Sequence, residues 1–261
     1  MIKSLNTAAT GMLAQQNNMD VIANNIANVN TTGFKKGRAE FEDLVYHNLK
    51  DPGEASGLNS VTPTGVQTGL GVRTASIQKD FTNGNAIMTK NPLDLQIEGT
   101  GFFQVRTPDG EISYTRDGSF KKDANGRIVD KNGNTLIPEI VIPQNSATLE
   151  ITPTGEVKSM SEQNAEPQTL GQIDIVNFIN PAGLKNVGKN LFVPTAASGQ
   201  PAEARPGTAG MGYLAQGELE ASNVNIVDEM INMISAQRAY ETNSKVVQTS
   251  DQMMQTAVNI K

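Results

Sequence analysis

The chain has no cysteine, no tryptophan and a single histidine, His47. The absence of cysteine excludes disulfides, thiolate metal sites and cysteine nucleophiles within these 261 residues. With one histidine and no cysteine, zinc sites and Ser-His triads have almost no support. We therefore expect no catalytic residue, no metal site and no cofactor, and we interpret His47 as a satisfied or solvent-facing side chain.

Long apolar runs and clustered charges are also missing. No stretch approaches the roughly 18 consecutive apolar residues of a membrane span, and residues 1–16 lack the basic cluster and apolar centre of a cleavable signal. If the protein leaves the cytoplasm, the sequence predicts another export route. The net charge is -6 with Lys and Arg scattered along the chain, which argues against nucleic acid and membrane insertion.

The first segment carries residues spaced three and four apart, the spacing of a heptad seam. They are Ile2, Leu5, Ala9, Met12, Gln16, Met19, Ala23 and Ile26. The pattern predicts one long helix that is weak alone, because its many asparagines and Gly11 have poor helix propensity. Lys3 and Asp20 are the only charges before Lys35. A helix surface with few charges and many amide side chains suits packing between copies of the chain. The alternative is a helix that packs on its own domain.

The last segment repeats this spacing over four heptads. Its positions are Met230, Met233, Gln237, Tyr240, Ser244, Val247, Asp251, Met254 and Val258. Ser222 or Asn223 is predicted to cap this helix, and Glu241 and Lys245 are predicted to pair four residues apart. The polar seam positions would destabilise a two-stranded coil but set the register in a larger bundle.

The middle of the chain changes to a period of two, interrupted by turn residues. Strands are predicted at 93–98, 102–106, 112–115, 127–129, 135–137, 139–142, 149–151, 172–178 and 190–193, with a hairpin sequence around Gly99–Gly101. This spacing implies an antiparallel sandwich or open barrel. Residues 49–71 are rich in Gly, Ser, Thr, Asn and Pro, and predict a long loop or an extended hairpin.

Three groups of residues resemble calcium, phosphate or hydrolase sites, but none of them fits the requirements of such a site. Residues 123–126 and 130–133 resemble calcium ligands but lack the ligand spacing of an EF-hand, so they are interpreted as tight Asn-Gly turns. The glycines at 65, 69 and 71 lack the strand-to-helix context of a phosphate loop. Glu98 with Asp94 or Asp117 could be a hydrolase carboxylate pair, but nothing places two carboxylates across a cleft.

Four motifs resemble those of the bacterial flagellar rod and hook axial proteins. The N-terminal signature is Ala23-Asn24-Asn25-Ile26-Ala27-Asn28 followed by Thr32-Gly33-Phe34-Lys35, and the C-terminal one comprises Ser222-Asn223-Val224, Glu229-Met230-Ile231 and Gln237-Arg238-Ala239-Tyr240-Glu241. The central motifs are Gly99 to Val105 and Tyr114 to Phe120. Both terminal signatures occur in the right order and bracket the whole chain.

The resemblance implies a structural subunit and no enzyme. Its size implies a rod member with a central domain. The low-complexity stretch from Leu49 to Gly71 favours the distal segment of the rod, and the proximal segment is the alternative. Such subunits are exported unfolded through the flagellar export apparatus and polymerise into a helical tube. That tube crosses the periplasm as a drive shaft in the basal body, and the implied partners are copies of the chain, other rod proteins, the hook protein and the P and L ring proteins.

The predicted fold class is α+β, with the terminal helices paired as a coiled-coil-like unit beside a mainly β domain. The predicted domains are 1–30 with 222–261 for assembly, 31–75 as an extended segment, and 76–221 as the β-rich domain. The predicted assembly interface comprises Leu5, Met12, Met19, Asn24, Asn25, Ile26, Asn28, Thr32, Gly33, Phe34, Asn223, Met230, Met233, Gln237, Arg238, Tyr240, Glu241, Val247 and Met254. A secreted wall hydrolase and a secreted β-domain adhesin remain as alternatives from other classes.

Overall fold

The computed structural model describes residues 2–53, 55–57, 60–61, 63–143, 146–161, 164–208 and 210–259. The chain divides into two compact units. The helical unit comprises Met1–Ala27, Gly37–Lys79 and Asn225–Lys261, and the β unit comprises Asn28–Lys36 and Asp80–Val224. Two terminal helices flank a mostly β middle, so the predicted α+β class is confirmed.

Two long helices form the ends of the chain. Helix α1 spans Ile2–Ala27 and helix α2 spans Ile226–Asn259, so both predicted helices are confirmed. The predicted cap of α2 is wrong, because the side-chain oxygen of Asn225 accepts a hydrogen bond from the Val227 amide at 3.0 Å. Asn225 thus satisfies an amide that the first helical turn leaves without a helical partner.

The rest of the helical unit is a set of antiparallel strand pairs. Its strands are β1 (Gly37–Asp43), β2 (Tyr46–Lys50), β3 (Ala55–Gly57), β4 (Ser60–Val61), β5 (Val66–Gly69) and β6 (Val72–Lys79). Strand β1 pairs with β6, β2 with β5 and β3 with β4. Part of the predicted extended hairpin over 49–71 lies outside the described residues.

The β unit is built from short strands. They are β7 (Ala86–Met88), β8 (Leu95–Glu98), β9 (Phe102–Arg106), β10 (Ile112–Thr115), β11 (Lys121–Lys122), β12 (Ile128–Val129), β13 (Thr135–Ile137), β14 (Ser146–Ile151), β15 (Glu156–Ser161), β16 (Asn164–Gln172), β17 (Ile175–Asn177), β18 (Lys185–Gly188), β19 (Leu191–Val193), β20 (Ala202–Ala204), β21 (Tyr213–Gln216) and β22 (Glu218–Glu220). The largest sheet has the order β11-β12-β13-β9-β10-β19-β18, and β17 links β9 to β20. All ladders between the described strands are antiparallel, as predicted.

Two apolar clusters fill the β unit. The larger one is centred on Phe103, Val105, Leu136, Val157, Ile173 and Ile175, all fully buried. The smaller cluster joins Phe102, Tyr114, Phe178 and Phe192, whose rings meet edge to face, for example at 4.9 Å between Tyr114 and Phe178. Each such side chain contributes roughly 1.5–3 kcal/mol on burial, so this unit has a substantial core of its own.

Two local predictions in the β unit are wrong and one is confirmed. The hairpin around Gly99–Gly101 does not form, because β8 pairs with β21 and not with β9. No strand forms over 139–142, where Val141 makes only a single bridge to Arg127. The two Asn-Gly turns are present, with Gly126 and Gly133 at φ values of 82° and 84° that favour glycine.

Candidate assembly interface

Helices α1 and α2 pack against each other in an antiparallel pair. The side-chain amide of Asn25 donates a hydrogen bond to Oε2 of Glu229 at 3.2 Å. Further along, a Cβ atom on Gly11 would lie 2.9 Å from the side-chain nitrogen of Asn243. The chain advances from Glu229 to Asn243 by as many residues as it falls back from Asn25 to Gly11, which fixes the register of the pair.

Small side chains make up most of the fully buried positions of the two helices. Ala8, Ala14, Ala236 and Ser250 are buried. Among the described residues of the two helices, Ile22 is the only large apolar side chain that is buried. Burial stabilises a contact roughly in proportion to the apolar area removed from water, so alanine and serine contribute little. The fully buried positions of the two helices therefore add little to their stability within one chain.

Large apolar side chains of α2 point outward instead. Val227, Ile231 and Ile234 are 63%, 57% and 48% exposed. They begin a row of exposed residues spaced four and three apart, which we call the outer stripe: Val227, Ile231, Ile234, Arg238, Glu241 and Lys245. Contiguous exposed apolar residues mark surfaces that another molecule covers.

Helix α1 has a matching outward row. Its exposed positions, spaced three and four apart, are Asn6, Ala9, Leu13, Gln16, Asp20, Ala23 and Ala27. Leu13 is 62% exposed. Each helix therefore carries one seam toward its partner helix and a second seam toward solvent, as expected of helices in a bundle larger than two.

Asn25 joins three parts of the helical unit. Its side-chain amide donates to the Gly37 carbonyl at 2.8 Å, and its side-chain oxygen accepts from the Gly37 amide at 2.8 Å. The same amide group holds Glu229 of α2. Because Asn25 is buried, these bonds replace water and fix α1, the start of β1 and α2 relative to one another.

The predicted interface residues between the helix and the first strand pack inside the β unit. Gly33 has a φ of 66°, and a Cβ atom on it would lie 2.7 Å from the Asp117 backbone nitrogen, so only glycine fits without strain. The Thr32 hydroxyl donates to Asp117 Oδ1 at 3.0 Å, and Phe34 is buried. Gly33 also donates its amide to the Glu220 carbonyl at 2.8 Å.

Next to Gly33, three charged side chains are buried together. Nζ of Lys35 lies 2.6 Å from Oε1 of Glu220 and donates to the Thr82 carbonyl at 2.8 Å. Arg116 Nη1 lies 3.5 Å from Glu220 Oε2. Burial lowers the pKa of Lys35, against the opposing effect of Glu220. Buried charges persist only when they are paired, so this cluster depends on the single carboxylate between two cations.

Asn223 closes the same region of the β unit. Its side-chain oxygen accepts a hydrogen bond from the Lys36 amide at 2.8 Å, and its side-chain nitrogen donates to the Asp80 carbonyl at 2.9 Å. This amide therefore ties the segment before β1 to the segment before α2. It explains why Asn223 does not cap α2.

The predicted interface residues fall into three groups. Asn25, Gly33 and Phe34 are buried within the chain. Half-buried positions are Leu5, Met12, Met19, Ile26, Asn28, Thr32, Asn223, Met233, Val247 and Met254, whereas exposed ones are Asn24, Met230, Gln237, Arg238, Tyr240 and Glu241. The predicted Glu241–Lys245 pair does not form, because no ion pair joins these described side chains.

The sequence pattern did not indicate the apolar residues of the outer stripe or the buried charges. Several faces of one helix can carry residues spaced three and four apart. The sequence does not say which of these faces is buried, whereas the exposure of each residue in the structure does. Lys35 and Arg116 both lie in the recognised motifs. A charged residue inside such a motif was the signal that could have indicated a buried charge. Glu220 carried no signal, since its partners are distant in sequence.

The described residues were also compared with the requirements of a metal site and of a membrane-spanning helix. Within the described ranges, no group of three or more His, Cys, Asp or Glu could hold a metal ion. No helix in the described part of the chain is long and apolar enough to cross a membrane.

Comparison with protein families gives three matches along the chain. Residues 5–35 match the model of the flagella basal body rod protein, and residues 96–159 match that of the flagellar hook protein FlgE/F/G D1 domain. Residues 215–260 match the flagellar basal body rod FlgEFG protein C-terminal model. The first match covers most of α1, the second lies within the β unit, and the third contains α2 and the end of the β unit.

Relatives match over the full length. The flagellar basal-body rod protein FlgG of Borreliella burgdorferi is 51% identical over 265 residues, covering 100% of this chain and 99% of that protein. The protein of the same name from Buchnera aphidicola of Acyrthosiphon pisum is 49% identical and covers 98% of each chain. That of Caulobacter vibrioides is 46% identical over 100% of both.

Proposed function

The chain belongs to the flagellar basal-body rod protein family, and we propose on this basis that it is the structural subunit of the distal rod of the bacterial flagellum. Copies of the chain assemble into a helical tube. The tube acts as a drive shaft that transmits motor torque to the hook. The family is structural and not enzymatic, and its members belong to the basal body.

The exposed outer stripe is the observation that carries this function. A solitary subunit would place its large apolar residues inside its helix pair and its small ones anywhere. Here Ile231 and Ile234 face solvent while Ala236 is buried. A neighbouring copy that covers the stripe removes this apolar area from water, so assembly supplies the stabilisation that the single chain lacks.

The finer architecture follows from this arrangement. Residues 1–30 and 222–261 form the assembly domain, in which α1 and α2 behave as a coiled-coil-like unit. Residues 31–75 form an extended hairpin segment, supported by the pairing of β1 with β6 and of β2 with β5. Residues 76–221 form the β domain. Because a two-stranded ribbon is marginal alone in water, this segment also gains from neighbouring copies.

The predicted interface residues enter this proposal in two roles. The exposed and half-buried ones on the helices contact neighbouring copies directly. Asn25, Gly33 and Phe34 instead hold the helices and the following segment in shape. The subunit reaches the tip through the flagellar export apparatus without a cleavable signal, and its other partners are rod proteins, the hook protein and the P and L ring proteins.

The remaining alternatives have less support. A proximal rod subunit shares the family, but the three full-length relatives described above, at 46–51% identity, are named FlgG. No feature of the described residues favours an adhesin. The wall hydrolase lacks support because Asp94 and Asp117 are each engaged in hydrogen bonds with neighbouring side chains.

Removing the last heptads of α2 tests the polymer function. Deletion of residues 248–261 takes away Ser250 and the half-buried Met254 from the helix pair but leaves the β unit intact. We expect an unchanged thermal transition of the β unit by circular dichroism and no tubes by electron microscopy. Gln255→Ala, an exposed change in the deleted segment, is the control that should still assemble. Tubes formed by the truncated chain would overturn the proposal.

A further inference from the structure

The β unit is built from two separate parts of the chain. Residues 28–36 precede the strands of the helical unit, and residues 80–224 follow them. A simple connector would expose its side chains to solvent, yet Phe34 and Lys35 are buried. The short first part is therefore packed into the β unit and is more than a link between two units.

Glu220, near the end of the β unit, holds this first part. Its backbone carbonyl accepts a hydrogen bond from the Gly33 amide at 2.8 Å, and its Oε1 lies 2.6 Å from Nζ of Lys35. The same Oε1 accepts a hydrogen bond from the Gly84 amide at 3.0 Å. Lys35 also donates to the Thr82 carbonyl at 2.8 Å. One residue of β22 thus joins the segment around Lys35 to the segment around Gly84.

Asn223 joins the same parts of the chain a second time. Its side-chain oxygen accepts from the Lys36 amide, and its side-chain nitrogen donates to the Asp80 carbonyl and, at 3.1 Å, to the Thr82 hydroxyl. The Asp80 amide in turn donates to the Lys36 carbonyl at 3.0 Å. Each of three segments is therefore bonded to the other two. These segments, which we call the latch, are residues 33–36, 80–84 and 220–223.

The segments of the latch are far apart along the chain. Lys35 and Glu220 are separated by 185 residues, whereas β14, β15 and β16 follow one another in sequence and pair with one another. The entropy lost on closing a loop grows with its length, so contacts between distant segments form slowly. We therefore expect the pairing of β14, β15 and β16 to precede the contacts of the latch.

We propose that the latch is a conformational device that closes as one unit, through Glu220 and Asn223, after the core of the β unit has formed. It goes beyond the proposed function, because it concerns the single subunit whether or not copies polymerise. In a chain that is still being made from its N-terminus, core strands can form early, but residues 28–36 stay unattached until residue 220 has appeared. The latch thus closes only on a complete β unit.

Asn223→Ala tests whether the three segments open together. The change removes the side-chain partner of the Lys36 amide, whereas the Gly33 and Gly84 amides keep their bonds to Glu220. In the full-length chain, at concentrations that form no polymer, hydrogen exchange of all three amides should rise by the same factor, about tenfold. A rise confined to Lys36, or no rise at all, would show that the segments do not open as one unit.

Asn180→Ala is the matched control for this variant. The side-chain amide of Asn180 donates to the Ala197 carbonyl at 3.0 Å, outside the latch. That bond stays intact while the latch opens, so exchange of the latch amides should change by less than about twofold. If Asn180→Ala raises their exchange as much as Asn223→Ala does, these amides exchange only when the whole β unit unfolds, and the proposal is wrong.

Refolding of the unmodified chain tests the order of closing and does not depend on any variant. After dilution from urea, pulses of hydrogen exchange should find the amides of β15 protected first. The amides of Gly33, Lys36 and Gly84 should follow together, about tenfold later in time. Protection of these latch amides before those of β15, or at the same time, would overturn the proposal.

Discussion

Ile234→Asp is expected to abolish polymerisation while leaving the single subunit as stable as before. Ile234 is 48% exposed in the subunit, so its replacement should change the free energy of unfolding by no more than about 0.5 kcal/mol. In the proposed polymer a neighbouring copy covers the same position. There the variant loses roughly 1.5–3 kcal/mol of apolar burial and adds an unpaired buried carboxylate at every contact.

Sedimentation and electron microscopy measure the polymer, and thermal unfolding by circular dichroism measures the subunit. Ser235→Asp is the matched control, because it places the same charge on the same turn of α2 beside the outer stripe. We expect the control to retain most of its polymer. Normal tubes from Ile234→Asp, or equal loss from both variants, would mean that the outer stripe is not the interface.

Glu220→Gln is expected to destabilise the β unit by about 3–5 kcal/mol, because it leaves two buried cations without their carboxylate. Glu220 lies between Lys35 and Arg116, and it also accepts the Gly84 amide at 3.0 Å. The amide of glutamine keeps the shape but not the charge. The change should appear as a lower midpoint of urea unfolding with an unchanged slope.

Two companion variants separate charge from packing at this cluster. Glu218→Gln, on the same strand and only half-buried, should change stability by about 0.5 kcal/mol or less. Lys35→Met should destabilise less than Glu220→Gln, since Glu220 then still faces Arg116. If Lys35→Met is the more damaging change, the carboxylate is not the centre of the cluster.

Local patterns predicted much of the secondary structure. The heptad spacing gave α1 and α2, because a helix repeats its contacts along the chain, and the Asn-Gly turns followed from the positive φ values that glycine allows. The pairing of β8 with β21 did not follow, since a strand pattern indicates which face is buried and not which strand lies beside it. Gly99 and Gly101 looked like a turn between neighbours for this reason.

The candidate interface was less predictable than the fold. Residues of the predicted seam, such as Met12 and Met19, are half-buried, whereas Leu13 of α1 and Ile234 of α2, which lie outside the seam, are exposed. Both helices carry apolar residues on several faces. A heptad pattern therefore cannot show which face contacts the partner helix. Gly33 and Lys35 belonged to a recognised motif, but their use inside the β unit depends on residues far away in sequence.

We propose that the terminal helices gain their stability from neighbouring copies, and hydrogen exchange measures this directly. Amides in 2–27 and 226–259 should exchange fast in the free subunit, because most fully buried side chains of α1 and α2 are small, and slowly in the assembled tube. Buried amides of β9, in the β unit core, should be protected in both states and serve as the internal reference. Equal protection of the helices in the free subunit and in the tube would contradict the account.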